Sequence, residues 1–532
     1  MPNRKLKVLV TDKIDPAGLK PLESHPGIEL RYELAPKDDA LEKALVGTGA
    51  WLVRSESKVN AAWIAKAKDL RLIGRAGVGV DNIDLAAATK RGIAVVNAPA
   101  ANTLAAAEHT MALMLALARH VPAADASVKA GKWERSKFMG AELAGKTLGV
   151  VGLGRIGREV AKRAAVFGMK VVGFDPFVSD AQAREAGVEP MSFLDLIATA
   201  DFMTLHVPGG EKTNGMLSGA ALAKAKKGLR VVNCARGELV DEAALAEALK
   251  SGRLGGAALD VFSAEPLPAD SPLRDAPNLI LTPHLGASTA EAQSRVATEL
   301  AQAVLDFHEK GIAPNALNLP GFDPATVAAL GEWLTLADAM GRFLAQVLEG
   351  GVREFNCVFE GEFKPGERRP LGVAALKGLL TPILGPSVSW ISAPASAAER
   401  GIRVGEASEP RARESLRQLT LTAVTDAGPV SVTGAVLAAG EPRLMRLGAM
   451  RVDLRPEGKL IVISNQDAPG VIGRVGNLLG KAGVNIADMR VGRRAPHGEA
   501  VMILSVDDAA PAAVRGELSR LDGVRRVHWV EL

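Results

Sequence analysis

Residues 146–157 read KTLGVVGLGRIG, an apolar strand followed directly by a glycine-rich turn and the start of a helix. The turn has the spacing GxGxxG, with glycine at Gly152, Gly154 and Gly157. Glycine at these positions permits a tight turn, close approach of the backbone to a pyrophosphate, and close packing of helix on strand. The helix N-terminus, which opens with Arg155 and Ile156, offers free N–H groups to the phosphates. The stretch therefore predicts a dinucleotide-binding site.

The strand that follows, KVVGFD, ends at Asp175. An acidic residue at this point accepts hydrogen bonds from the adenosine ribose hydroxyls and repels a 2′-phosphate. The predicted cofactor is therefore NAD rather than NADP. The competing interpretation, an ordinary glycine-rich turn, does not account for the surrounding strand, helix and acidic residue.

Strand and helix patterns alternate on both sides of this stretch, which indicates a doubly wound α/β fold with parallel sheets. The pattern changes from about Gly321, where a helix is predicted at 330–348 and loops at 361–370 and 405–413. After a break at 455–458 the chain has the order βαββαβ, which is typical of a ferredoxin-like domain.

Composition limits the possible classes of protein. The 532 residues include 64 basic and 60 acidic side chains, so the net charge is +4 and no nucleic-acid or membrane partner is indicated. Two cysteines exclude a disulfide framework and a cysteine-rich zinc site, and no metal is predicted. The most apolar helical stretch, 103–118, contains Glu108 and His109, and no signal peptide is evident. We expect a soluble, cytoplasmic protein.

Three residues that follow predicted strands suit the oxidation of a secondary alcohol: Arg236, Glu265 and His284. Histidine is the natural base near neutral pH, a carboxylate beside it fixes its tautomer, and arginine binds a carboxylate in a bidentate manner. A structural role would be the more frequent explanation for any one histidine taken alone. We assign that role to His109 and five others, whereas His206 ends a strand and is expected to line the site.

A second glycine string, GRAGVG at 74–79, lacks the third glycine before a helix. It is predicted to be a tight loop whose backbone N–H groups, at Val78 and Gly79, hold a small anion such as a carboxylate.

Five stretches together resemble the D-isomer-specific 2-hydroxyacid dehydrogenase family over about the first 315 residues. They are GRAGVGVDNID (74–84), VGLGRIGREVAKRAAVFGMKVVGFDP (151–176), VVNCARGELVDEAAL (231–245), ALDVFSAEP (258–266) and TPHLGAST (282–289). The resemblance implies that Arg236 binds and activates the substrate, that Glu265 is the partner of His284, and that His284 is the acid/base. It also implies cofactor contacts at Cys234 and Asp260.

The same resemblance implies a domain order. A Rossmann cofactor domain (99–287) is expected to be inserted in a second α/β, substrate-binding domain (1–98 and 288–317). An α+β intervening domain (320–453) and a ferredoxin-like ACT domain (458–532) are expected to follow.

Within the family, a phosphorylated substrate is expected, because Arg54, Ser55 and Arg75 lie beside the anion loop. The resemblance adds Asn102, and Arg135 from a neighbouring subunit, so a homodimer or homotetramer is expected. The expected substrate pair is 3-phosphoglycerate and 3-phosphohydroxypyruvate, in the first step of L-serine biosynthesis. Dehydrogenases of glyoxylate, hydroxypyruvate or D-lactate are the alternative, and they would not need these arginines or the C-terminal domains. A dinucleotide-sensing corepressor would tolerate loss of the catalytic residues, all of which are present.

Asn465, Asp467 and Asn485 match positions at which ACT domains of such enzymes hold L-serine, usually across a dimer interface. L-Serine is therefore the candidate regulatory ligand. The alternative is that the three are turn and cap residues.

Overall fold

The computed structural model describes residues 5–532 apart from 311–312, 314–315, 320, 323, 386–387, 410–416 and 439. Four predicted features lie partly outside the described residues. They are the two segments of the substrate domain (at 1–4, 311–312 and 314–315), the intervening domain (at 320, 323, 386–387, 410–416 and 439) and the loop at 405–413 (at 410–413).

The first sheet has five parallel strands with helices between them. Its strands are β1 (Leu6–Val10), β2 (Ile28–Tyr32), β3 (Ala50–Val53), β4 (Leu72–Arg75) and β5 (Ala94–Asn97), and its helices are α1 (Pro16–Ser24), α2 (Asp38–Leu45), α3 (Ala61–Lys66) and α4 (Leu85–Lys90). The strand order is β2-β1-β3-β4-β5. The strands β3 and β5 are buried along their whole length, as expected for a parallel sheet covered on both faces.

Helices α5 (Thr103–Ala118) and α6 (Val121–Lys129) and a short 3-10 helix (Arg135–Phe138) lead to a second, seven-stranded parallel sheet. Its strands are β6 (Thr147–Val151), β7 (Lys170–Phe174), β8 (Glu189–Pro190), β9 (Phe202–Leu205), β10 (Arg230–Asn233), β11 (Gly256–Leu259) and β12 (Leu279–Leu281). Its helices are α7 (Arg155–Val166), α8 (Asp180–Glu185), α9 (Phe193–Thr199), α10 (Gly219–Lys224) and α11 (Glu242–Lys250). The order β12-β11-β10-β9-β6-β7-β8 reverses direction beside β6, so the predicted doubly wound fold is confirmed.

Helix α12 (Ala290–Lys310) returns the chain to the first sheet. Its Leu300 packs where a side chain at Gly74 would lie, and its Ala297 contacts Gly18 of α1. Beyond the helix, the N–H of Leu317 donates to the carbonyl of Val95 at 2.8 Å. The second sheet is therefore inserted into the first α/β unit.

A six-stranded mixed sheet and three helices follow. The helices are α13 (Pro324–Val347), α14 (Pro365–Leu384) and α15 (Ala393–Glu399), and the strands are β13 (Val352–Glu360), β14 (Arg403–Glu409), β15 (Gln418–Thr425), β16 (Gly428–Val436), β17 (Pro442–Leu447) and β18 (Met450–Leu454). The sheet order is β14-β13-β15-β16-β17-β18. The predicted helix at 330–348 is confirmed.

The predictions of loops at 361–370 and 405–413 are both wrong in part. Helix α14 begins at residue 365, inside the first predicted loop. The side chain of Glu367 accepts a hydrogen bond from the N–H of Lys364 at 3.0 Å, and this contact caps the start of the helix. Residues 403–409 form β14, which pairs in parallel with β13. Tertiary pairing overrides the weak local strand propensity of GEASE.

The last sheet has the strands β19 (Lys459–Gln466), β20 (Ile486–Arg493), β21 (Glu499–Val506) and β22 (Val524–Glu531), with helices α16 (Val471–Lys481) and α17 (Ala512–Leu518). Its order is β20-β21-β19-β22 and all its pairs are antiparallel. The predicted βαββαβ domain is confirmed. In the described part of the chain, no helix is long and apolar enough to cross a membrane.

Helices α13 and α14 touch backbone to backbone at two glycines. A Cβ atom at Gly341 would lie 2.0 Å from the carbonyl oxygen of Ala375, and one at Gly378 would lie 2.1 Å from that of Asp338. The Lys377 ammonium also bonds the Asp338 carboxylate at 2.8 Å. The crossing therefore has no room for even a methyl group.

We expect Gly378→Ala to lower the free energy of unfolding by about 1–3 kcal/mol, because the methyl group would force the two helices apart. Gly366→Ala, in the first turn of the same helix, is the matched control, since outside its own helical turn no atom of the described residues lies within 4 Å of its Cβ position. The control should be neutral or slightly stabilising. Urea unfolding followed by circular dichroism measures both, and equal stability of the two variants would contradict the close crossing.

Candidate active site

His284 and Glu265 follow adjacent parallel strands and meet at the carboxyl edge of the second sheet. The Nδ1 atom of His284 lies 2.8 Å from Oε2 of Glu265. The other carboxylate oxygen accepts the N–H of Phe262 at 3.1 Å, which holds the carboxylate in place. Because a carboxylate only accepts, Nδ1 carries the proton and Nε2 is left with a free lone pair. The His284 side chain is 51% exposed, so a substrate can reach it.

The loop that carries His284 is organised by the buried carboxylate of Asp260. One oxygen accepts the hydroxyl of Thr282 at 2.6 Å and the N–H of Leu285 at 2.8 Å. The other accepts the N–H of Gly286 at 2.8 Å. These contacts hold His284 at φ 55°, a left-handed conformation that residues other than glycine rarely adopt. The Asp260 side chain was predicted to contact the cofactor, and the structure gives it this second, positioning role.

His109 belongs to the same cluster, although the sequence suggested only a structural histidine. Its Nε2 lies 3.2 Å from Oδ1 of Asp260 and 3.3 Å from the hydroxyl of Thr282. Burial opposes ionisation of Asp260, but the hydrogen bonds from His109, Thr282 and the loop keep the pKa of this carboxyl below its ordinary value. No local signal in the sequence links residues so far apart along the chain.

Arg236 follows β10 and reaches across to the first sheet. Its carbonyl oxygen accepts a hydrogen bond from Asn233 Nδ2 at 2.8 Å, which holds the backbone. Its guanidinium Nε lies 3.4 Å from Oδ2 of Asp81, and a Cβ atom at Gly79 would be 2.0 Å from its Nη2. Arg236 therefore lies directly on the loop after β4.

The Arg236 loop also packs on the loop that carries Glu265. A Cβ atom at Gly237 would lie 1.9 Å from the carbonyl carbon of Phe262. Since β10 pairs with β11 and β11 with β12, the predicted catalytic residues Arg236, Glu265 and His284 all follow neighbouring strands.

Arg75 completes a cluster of three cations with Arg236 and Arg54. Burial, followed by the charges of Arg236 and Arg54, lowers the pKa of Arg75 to about 10. Its Nε is buried and has no hydrogen-bond partner among the described residues, and a Cβ atom at Gly77 would lie 1.6 Å from its Nη1. Like charges held this close are stabilised by a bound anion. The glycine string thus makes room for two guanidinium groups, a role that its sequence did not reveal.

Further groups suited to an anion surround the cluster. No atom in the described part of the chain accepts a hydrogen bond from the N–H of Val78 or Gly79, while Asn97 holds the Val78 carbonyl oxygen at 2.6 Å. Asn102 Oδ1, at the start of α5, is buried and lacks a partner among the described residues, and Ser55 is exposed beside Arg54.

Arg135 lies apart from this cluster. It is exposed in the 3-10 helix, and no hydrogen bond or ion pair in the described part of the chain joins it to Arg54, Arg75 or Arg236. The side chains on either side of it, Trp133 and Met139, are 80% and 82% exposed.

The predicted dinucleotide loop has the form that a pyrophosphate requires. Gly152 has φ 95°, and a Cβ atom there would lie 2.5 Å from the carbonyl oxygen of His206. A Cβ atom at Gly157 would lie 2.0 Å from the Gly152 carbonyl oxygen, so helix and strand touch. Apart from its two chain neighbours, no described residue has an atom within 4 Å of the Cβ position of Gly154. The N-terminus of α7 is therefore open to a phosphate group.

Asp175 closes this loop from the next strand. Its Oδ2 accepts the N–H of Leu153 at 2.8 Å and its Oδ1 accepts the N–H of Phe177 at 2.8 Å. Each oxygen keeps a lone pair for a ribose hydroxyl. Arg155, which is exposed, and Ile156, which is half-buried, form the first turn of α7. The residues present therefore fit NAD.

His206 and Cys234, which follow β9 and β10 at the carboxyl edge of the second sheet, are both uncharged near neutral pH. Burial lowers the pKa of His206 to about 4, and its Nε2 bonds the Thr204 hydroxyl at 2.9 Å. Burial also raises the pKa of Cys234 to about 12. Cys234 approaches His109 and Asp260 closely enough for one metal ion, but the Asp260 oxygens already accept several hydrogen bonds.

The three residues predicted to bind a regulatory ligand do not share one cluster. Asn465 is buried, and its Oδ1 has no partner among the described residues. Asp467 accepts a hydrogen bond from Arg493 at 3.1 Å, and Asn485 donates to Asp507 at 2.7 Å.

The strand register separates them along the sheet. Lys459, at the start of β19, pairs with Val506, whereas Asn465, at its end, pairs with Ala500. Asn485 lies beside Asp507, just past Val506, so it is about 20 Å from Asn465 at the usual rise per residue. Within one chain, Asn485 therefore lies at the opposite end of the sheet.

Comparison with known families agrees with this architecture. Residues 111–286 match the NAD binding domain of D-isomer specific 2-hydroxyacid dehydrogenases, 329–448 match the D-3-phosphoglycerate dehydrogenase intervening domain, and 459–523 match the ACT domain.

Curated relatives match over nearly the whole chain. The D-3-phosphoglycerate dehydrogenase of Synechocystis sp. is 41% identical over 535 residues, which covers 99% of this chain and 95% of the relative. That of Archaeoglobus fulgidus is 42% identical and is covered completely. The chain belongs to the D-3-phosphoglycerate dehydrogenase family. It is an oxidoreductase whose NAD-binding domain is followed by an intervening domain and an ACT domain.

Solved structures match the part of the chain that holds the site. The TT0316 protein from Thermus thermophilus aligns with a TM-score of 0.53 and 36% identity, covering 59% of this chain and all of that one. A D-lactate dehydrogenase from Aquifex aeolicus, solved with NAD and lactic acid, aligns with a TM-score of 0.52 and 29% identity, covering 58% and 98%.

We expect His206 to make the fold sensitive to acid. Its pKa of about 4 is below the ordinary value of 6.5, so the unfolded chain binds its proton more readily. The stability it contributes is complete above pH 6.5 and is lost as the pH falls towards 4. Between pH 7 and pH 4 the free energy of unfolding of the wild type should fall by about 3 kcal/mol more than that of His206→Gln. Urea unfolding across this range measures the difference, and an equal pH dependence of the two proteins would contradict a histidine that is held neutral in the folded state.

Proposed function

We propose that this protein catalyses the NAD-dependent oxidation of 3-phospho-D-glycerate to 3-phosphohydroxypyruvate, the first step of L-serine biosynthesis. The observation that carries the proposal is the cluster of Arg54, Arg75 and Arg236, in which the loop of Arg236 packs on the loop of Glu265, the partner of His284. A phosphorylated hydroxy acid has about three negative charges near neutral pH, which matches the three cations. The full-length relatives that carry this name support the same substrate.

The catalytic step follows from the hydrogen bonds of the site. NAD, when bound, supplies the acceptor for the hydride from C2. His284 takes the C2 hydroxyl proton on Nε2, because Nδ1 donates to Glu265. The carboxylate of Glu265 then stabilises the imidazolium. Arg236 and the N–H groups of Val78 and Gly79 hold the substrate carboxylate.

The phosphate end is assigned to Arg54, Ser55, Arg75 and Asn102. We also assign Arg135 to it, from a second copy of the chain. In its own chain Arg135 is exposed, and large apolar side chains on either side of it are exposed too. Exposed apolar side chains around a cation are typical of a surface that packs on another protein. A homodimer or homotetramer would complete the site.

The cofactor is assigned to the edge of the second sheet. The residues proposed to hold it are Gly152, Gly154, Arg155, Ile156, Gly157, Asp175, His206, Cys234 and Asp260. The open helix N-terminus at Gly154 accommodates the pyrophosphate, and Asp175 favours NAD over NADP.

For the ACT domain we propose L-serine as the regulatory ligand, bound between two copies. Asn465 and Asp467 of one copy would face Asn485 of the other, since the register separates them within a single chain. The unpaired, buried Oδ1 of Asn465 supports a polar ligand at this end of the sheet.

The assay of NADH oxidation decides the substrate. We expect kcat/KM for 3-phosphohydroxypyruvate to be higher than for hydroxypyruvate, glyoxylate or pyruvate by a factor of about 10² or more. The reason is that the phosphate group makes two or more charge-assisted contacts that the other acids lack. Equal or better turnover of an unphosphorylated acid would overturn the proposed substrate.

We expect His284→Ala to lower kcat by a factor of about 10²–10⁴, since the general base is lost. NADH binding, measured by fluorescence titration, should remain within about twofold of the wild type, because His284 does not hold the nucleotide loop. His528→Ala, in the last strand, is the control and should keep normal turnover. Near-normal turnover of His284→Ala would refute the assignment of the base.

A further inference from the structure

Asp12 is a buried carboxylate that lies just after β1 and is only 2% exposed. Its Oδ2 accepts the N–H of Arg54 at 2.6 Å and the N–H of Ser57 at 3.1 Å. Its Oδ1 accepts the hydroxyl of Ser57. All these donors belong to the loop 54–57, which follows the neighbouring strand β3.

Other side chains fix the same loop. Asn82 Nδ2 donates to the carbonyl oxygens of Arg54 at 2.6 Å and Ser57 at 2.7 Å. The Thr11 hydroxyl lies 2.9 Å from that of Ser57 and accepts a hydrogen bond from Trp51 at 2.9 Å. The loop is therefore held by Asp12, just after β1, and by Asn82, in the loop after β4.

The guanidinium of Arg54 is attached to the same segment, because its Nη1 donates to the carbonyl oxygen of Lys13 at 3.2 Å. Backbone and side chain of Arg54 thus both depend on residues 12–13. By contrast, Arg236, at the carboxylate end of the site, is held by Asn233 and Asp81. The proposed phosphate and carboxylate ends of the site are therefore held by different side chains, although Asp81 and Asn82 belong to the same loop.

We propose that Asp12 is a positioning residue that sets selectivity for the phosphate of the substrate, an inference that rests on the proposed function. Asp12 is buried and acts through Arg54 and Ser57. Charge-assisted hydrogen bonds from backbone N–H groups to a carboxylate are stronger than neutral ones, so they hold the loop firmly. The negative charge also offsets part of the repulsion among the three arginines.

Two substitutions separate geometry from charge. In Asp12→Asn the amide oxygen can still accept the two N–H groups, whereas Asp12→Ala removes every contact. We expect KM for 3-phosphohydroxypyruvate to rise about 10-fold in Asp12→Asn and further in Asp12→Ala. KM for hydroxypyruvate, kcat for both acids and the affinity for NADH should change by less than about twofold.

Asp15→Asn is the matched control, because Asp15 also accepts a backbone N–H, from Ala17 at 3.0 Å, but among the described residues no hydrogen bond or ion pair joins it to the loop 54–57. It should leave both KM values unchanged. If Asp12→Asn does not fold, Ser57→Ala serves instead, since it keeps the carboxylate and removes one of its hydrogen bonds. Its effect should have the same direction and be smaller.

The outcomes distinguish this inference from the proposed function. Selectivity of the wild type for the phosphorylated acid tests the proposed function. The change of that selectivity in the variants tests the role of Asp12. A selective wild type with equally selective Asp12 variants would overturn the positioning role alone. An equal loss of kcat with both acids, or a lower melting temperature with unchanged selectivity, would assign Asp12 a general structural role and also overturn the inference.

Discussion

The contact between the Arg236 guanidinium and Gly79 joins the loops of the second sheet to those of the first. The cluster of three arginines depends on this contact. A Cβ atom at Gly79 would lie 2.0 Å from Nη2 of Arg236, so only glycine permits the approach. Through this contact a cation from the second sheet comes close to Arg75 and Arg54 of the first. Burial, followed by the repulsion from the other two arginines, lowers the pKa of Arg75, and an anion that binds here relieves the repulsion.

The loops around this cluster are held in the same way at three places. Asp12, Asp175 and Asp260 each follow a parallel strand, and each accepts at least one N–H group from the loop after the neighbouring strand. Asp12 holds the Arg54 loop, Asp175 holds the glycine-rich turn, and Asp260 holds the His284 loop. A carboxylate can accept several hydrogen bonds at once, so a single side chain replaces the ladder contacts that end where the strands end.

The sequence predicted the nature of the fold well where local patterns are strong. The turn at 152–157 and the βαββαβ tail were predicted correctly, because glycine spacing and alternation of strand and helix are local properties. The loops at 361–370 and 405–413 were predicted wrongly in part. Proline and glycine at 365–366 look like a turn, yet the capping contact of Glu367 starts a helix there.

The residue types that carry the chemistry of the site were predicted from the sequence, whereas the hydrogen bonds and contacts between these residues were not. The sequence determined that histidine, glutamate and arginine follow strands of a dinucleotide-binding fold, since each lies in a recognisable local pattern. Only the tertiary structure decided that His109 joins Asp260, that Asp12 holds the Arg54 loop, and that Asn485 lies far from Asn465 within one chain. Hydrogen bonds and charge act over a few ångströms in space, and parallel strands that are distant in sequence bring their ends together at one edge of a sheet. The local sequence contains the donors and acceptors, but the pairing between them is set by the order of strands in each sheet.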